Sequence, residues 1–100
     1  MRQRLCHLAE LTDDRLLTEH PTTGDPVLVL RDRAGIHVLD GLCPHQYAPL
    51  VGGDLSDCIL TCPMHEWRFD VRTGEGVDMP VRLERWPAVV EDGWIWLTEA

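Results

Sequence analysis

Two short runs, Cys43-Pro44-His45 and Cys62-Pro63-Met64-His65, constrain this chain more than any other stretch. Each offers one thiolate and one imidazole within reach of a single point, and residues 46 to 61 separate them. The pattern reads as a metal site in two halves. Structural zinc sites commonly take a cysteine pair from one turn and a histidine pair from a helix, because each pair closes a small chelate on one metal. Here every half mixes the two chemistries. A mixed half suits a centre with two different metal positions, to which the halves together give a Cys pair and a His pair.

A [2Fe-2S] cluster of the Rieske type, in which two His replace two Cys on one iron, has that arrangement. The wider pattern adds Trp67-Arg68-Phe69-Asp70 and Thr73-Gly74 after the second run. Together these residues resemble the Rieske-type ferredoxins, the small electron carriers of multicomponent oxygenases, and the resemblance runs from about Leu5 to Leu97. It implies an all-β fold, a Rieske-like antiparallel β-sandwich with a two-loop cluster-binding subdomain at one end. It also implies one [2Fe-2S] cluster, with Cys43 and Cys62 on the buried iron and His45 and His65 on the outer iron near the surface. The implied partners are a flavin-containing NAD(P)H reductase and a terminal oxygenase. Nothing beyond the cluster ligands resembles a two-His, one-carboxylate iron site, so the expectation is an electron-transfer component rather than an enzyme.

Three other readings stay open at this point. The small subunit of an NAD(P)H nitrite reductase has the same fold and can keep the motif. The Rieske domain of a terminal oxygenase is the second, although a chain from Met1 to just past the last hairpin reads as a complete carrier. A zinc-binding interaction module on the same four residues is the third.

With 100 residues the chain has room for a single domain, residues 1–100, burying about 65% of its unfolded surface. Hydrophobic residues make up 44% and charged residues 26%, a folded rather than a disordered balance. The formal net charge is −8, and every basic residue is Arg. That balance argues against nucleic acid and permits steering toward a positively charged protein surface, although any single Asp or Glu is accounted for by solubility. Four Cys in a small chain suit either disulfides or metal; His in both runs and the lack of a signal peptide favour metal in a reducing compartment. No run approaches the ~18 apolar residues of a membrane span, so a cytoplasmic carrier is expected.

Along the chain, residues 4 to 9 predict a short strand, and Leu16 to His20 a second one leading into Pro21. Pro21 to Pro26 is turn chemistry, with Gly24 free to take positive φ. Val27-Leu28-Val29-Leu30 and Ile36-His37-Val38-Leu39 form a hairpin across Asp32-Arg33-Ala34-Gly35. Gly52-Gly53 marks a tight turn, and Ile59-Leu60-Thr61 a strand that delivers Cys62. Trp67, Phe69 and Val71 alternate with Arg68, Asp70 and Arg72, burying one face. Glu84 to Val90 and Trp94 to Thr98 flank the hairpin signal Glu91-Asp92-Gly93. Trp94 and Trp96 share one face and Ile95 and Leu97 the other, which predicts a strand between two layers with the tryptophans in the core. His7, His20 and His37 read as structural, His37 facing solvent or a partial core, and Cys6 and Cys58 as inert buried thiols. Placed in one strand, Cys58 and Cys62 would share a face about 13 Å apart, too far for a bridge.

Departures from the respiratory Rieske proteins bear on the potential. Those proteins carry an extra Cys in each ligand loop, at positions that here hold Ala48 and Met64. They also carry a Ser and a Tyr that bond sulfur, where the resemblance places Trp67 and Phe69. Fewer donors to sulfur stabilise the reduced cluster less, so the expected potential is about −150 mV, the low end of the Rieske range.

Overall fold

The computed structural model describes residues 2–44, 47–63, 67–77 and 79–98. Among them ten strands form three antiparallel sheets. The first joins β1 (Arg2–His7), β10 (Trp94–Thr98) and β9 (Ala88–Glu91) in that order. The second is β2 (Arg15–Glu19), β3 (Pro26–Asp32), β4 (Gly35–Asp40) and β8 (Arg85–Trp86). The third is β5 (Asp54–Ser56), β6 (Ile59–Thr61) and β7 (Arg68–Asp70).

The second sheet is the middle layer. Val27, Val29 and Val38 pack with Cys6, Ile95 and Leu97 of the first sheet. Leu28, Leu30 and Leu39, pointing the other way, join Leu60, Phe69, Val71 and Leu83 in a second core that includes Cys43 and Cys62. Because side chains alternate across a strand, a strand buried on both faces reads as an unbroken apolar run, and Val27 to Leu30 are all fully buried. Each of these side chains contributes roughly 1.5–3 kcal/mol of burial.

That layering corrects one expectation. The strand between two layers is β3, not β10. Ile95 and Leu97 are fully buried while Trp94 and Trp96 are only half-buried. Trp94 is covered from outside, by the His7 ring edge-on at 4.9 Å and the Arg4 guanidinium 4.5 Å from its centre. The predicted strand from Glu84 to Val90 is likewise two strands. Pro87 has no amide to donate, so the ladder breaks there. Arg85 and Trp86 pair with β4, and Ala88 to Glu91 cross to β10.

Short turns set the register. Asp92 and Gly93 both take positive φ, +53° and +83°, the two-residue geometry that matches strand twist. Asp57 and Cys58 do the same between β5 and β6 at +52° and +65°. Cys58 therefore sits in the turn before β6 rather than within the strand, and no disulfide joins any of the four cysteines. Gly53 has an ordinary φ, but a Cβ there would meet the Thr61 carbonyl oxygen at 2.3 Å; close approach, not φ, requires the glycine. Gly74 answers both demands, with φ +86° and a Cβ position 2.4 Å from the Leu83 carbonyl oxygen.

Candidate metal centre

Cys43 and Cys62 open two loops that are closed in the same way. The Cys43 amide donates to the Ala48 carbonyl at 2.8 Å, and the Cys62 amide donates to the Trp67 carbonyl at 2.7 Å. In each case the acceptor lies five residues ahead. The first loop is reinforced below this closure, where the Leu50 amide donates to Gly41 at 2.9 Å and Leu42 bridges Pro49. Inside it the Tyr47 amide donates back to Cys43 at 2.7 Å. The second loop hangs from β6 and β7, which pair up to Thr61 and Arg68.

Both cysteines are almost completely buried, at 0% and 1% exposure, and share one core with Leu28, Leu39, Leu60 and Phe69. Pro44 and Pro63, one residue on, are exposed. A proline has no amide hydrogen and a fixed φ, so neither position needs a hydrogen-bond partner and each stiffens its loop. His45 and His65 lie outside the described residues, as do Gln46, Met64 and Glu66. What the fold brings together is therefore the cysteine pair. Two buried cysteines, each at the base of a stiff loop with an exposed next residue, are soft donors of the kind that bind zinc or iron–sulfur clusters. With Ala48 in the first loop, no disulfide joins the loops' described residues, and Phe69, fully buried, has no hydroxyl to offer a sulfur.

A second polar constellation went unrecognised in the sequence. His37, expected at the solvent or in a partial core, is 3% exposed and lies on the same face of β4 as Leu39. Arg85 donates to its Nδ1 at 3.0 Å, and because guanidinium has no acceptor, the ring hydrogen resides on Nε2 and is donated to Asp32 Oδ1 at 2.9 Å. Arg85 Nε also donates to the Val71 carbonyl at 3.1 Å, which ties the middle sheet to the turn after β7. Burial opposes ionisation of Asp32, but hydrogen bonds from His37, Cys58 and the Ala34 amide outweigh it and hold the carboxyl below its ordinary value. The two-residue spacing of His37 from Leu39 was the available signal; the ion partners come from other strands.

The remaining histidines are used structurally. His7 Nδ1 accepts from the Ala9 amide at 3.0 Å, and His20 Nδ1 from the Thr22 and Thr23 amides at 3.1 and 3.4 Å. Burial, with Glu10 adding to it, pushes the Cys6 thiol up to about 11, which agrees with an inert side chain.

Comparison with known proteins defines the class. Residues 1–87 match the Rieske [2Fe-2S] domain. Over 69 residues the chain is 42% identical to the ferredoxin component of the alkene monooxygenase system of Xanthobacter autotrophicus, covering 67% of this chain and 57% of that protein. It is 29% identical over 96 residues to the ferredoxin component of the p-cumate 2,3-dioxygenase system of Pseudomonas putida, covering 93% and 81%. The ferredoxin of Sphingomonas yanoikuyae B1 superposes with a TM-score of 0.85 over the full length of both chains at 26% identity. The chain belongs to the Rieske [2Fe-2S] domain family, and its cofactor is one Rieske-type [2Fe-2S] cluster. Among the described residues no helix is long and apolar enough to cross a membrane.

Proposed function

We propose that this chain is a one-electron carrier of a multicomponent oxygenase system, held between an NAD(P)H-dependent flavin reductase and a terminal oxygenase. In this reading Cys43 and Cys62 hold the inner iron, His45 and His65 hold the outer one, and the chain itself transforms no substrate. The observation that carries it is the pair of matched loops: two buried thiols, each closed by a hydrogen bond to the carbonyl five residues on, with an exposed proline next in line. The similarity to ferredoxin components of two oxygenase systems supports the choice of partners.

The bound cluster supplies a one-electron couple; the chain's own residues decide how that couple behaves. Leu28, Leu39, Leu60 and Phe69 exclude water from the sulfur side. The loop closures and the two prolines hold the cysteines still, so that little atomic movement accompanies a change of charge. Two imidazoles in place of two thiolates remove negative charge and make reduction easier than with four Cys.

Anaerobically purified protein is expected to contain iron and acid-labile sulfide in equal amounts, to be red-brown, and to show a rhombic signal on reduction. A colourless protein holding zinc alone overturns the proposal. His65→Cys is expected to retain a cluster of lower potential and to slow turnover in a system reconstituted with reductase and oxygenase; unchanged turnover counts against the outer-iron role.

A further inference from the structure

Beside the first loop lies a groove of about 230 Å³ lined by Asp25, Pro26, Asp40, Leu42, Pro44 and Tyr47. Most of its wall is apolar, but two carboxylates share it, and no Lys or Arg is among the described residues that line it. Tyr47 is 71% exposed, the most exposed large apolar side chain among the described residues. Its backbone has φ +58°, and its amide donates to the Cys43 carbonyl at 2.7 Å. Burial pushes the Asp40 carboxyl above its ordinary value; a hydrogen bond from the Glu84 amide to its Oδ2 at 2.8 Å opposes this, and the negative charges of Glu84 and Asp25 add to it. A cation is the missing complement.

Arginine fits this combination better than any other side chain. Its methylene stem can cover Pro26, Leu42 and Pro44, its planar guanidinium pairs with a carboxylate at two points, and the same plane stacks on an aromatic ring. Lysine supplies the charge without the fork or the flat face. The net charge of −8 favours approach of a basic surface from a distance. A side chain seated in the groove touches Pro44 and Tyr47, which stand next to His45 and Gln46 in sequence.

We infer that this groove receives an arginine side chain from the surface of the protein with which the chain exchanges electrons. The partner's role in electron exchange rests on the carrier reading above; the groove's preference for arginine rests on its own lining.

Tyr47 is the only tyrosine in the chain, so replacing it with 3-fluorotyrosine during expression gives a single fluorine resonance at the groove. The holoprotein is titrated with blocked Gly-Arg-Gly, and separately with the lysine peptide and with its neutral citrulline isostere. The expected result is a saturable shift with the arginine peptide, a weaker one with lysine and none with citrulline. Asp25→Asn is expected to weaken the arginine peptide by about tenfold. Asp92→Asn, the same charge change in the β9–β10 turn, is expected to alter it by less than about twofold. No saturable shift, an equal response to citrulline or lysine, or an equal loss in both variants overturns the inference. The measurement involves no electron transfer, so its failure and a failure of the carrier reading are told apart.

Discussion

At the scale of single residues, Asp32 shows how a buried charge is kept. Its side chain is 8% exposed, and the ring of His37, the Cys58 thiol and the Ala34 amide all serve the ionised form. A carboxyl whose folded value lies below its unfolded one contributes stability that is complete above the unfolded value and is lost as the pH falls toward the folded one. Asp32→Asn is therefore expected to cost about 1–3 kcal/mol at pH 7 and progressively less below about pH 4. Urea unfolding of both proteins across that range checks it, and an equal cost at pH 7 and pH 3 contradicts it. Comparing the two proteins isolates this group, because other carboxylates pull in both directions. Asp70 is held low by Arg72, while Asp40 is raised, chiefly by burial.

At the scale of elements, β10 separates hydrophobicity from position. Its first four residues are all apolar, and which pair forms the core depends on the face that β1 and β9 turn toward the middle sheet. Ile95→Ala empties a fully enclosed site and is expected to cost about 2–5 kcal/mol. Trp94→Ala removes a larger side chain that is only half-buried, and is expected to cost less than Ile95→Ala despite its size. Denaturant midpoints of the two variants test the ranking; the reverse order would return the tryptophans to the core. Pro87 illustrates the same point along the chain, since one missing amide divides a continuous apolar stretch between two sheets.

At the scale of the whole molecule, the middle sheet carries the β5–β6–β7 sheet on one face and the β1–β10–β9 sheet on the other. Cys43 and Cys62 lie in the first of these cores, where Phe69 stands without a hydroxyl. With no tyrosine donor at that position, the midpoint potential is expected at about −150 mV. A spectroelectrochemical titration measures it directly, and a value clearly above zero would mean that other groups donate to the sulfurs. The acidic surface adds a second whole-molecule property, because association steered by it weakens as salt shortens the reach of charge.

Taken by itself, the order of residues determined the metal chemistry, the all-β class and most of the strands. Paired Cys and His at fixed spacing, alternating apolar runs and Asp-Gly turns are local signals, each legible within a dozen residues. Only the tertiary structure decided which strand is covered twice, where Pro87 hands the chain from one sheet to another, and that Asp32, His37 and Arg85 meet. Those outcomes depend on groups distant in sequence competing for the same buried space and the same hydrogen bonds, and no local pattern encodes which of them arrives.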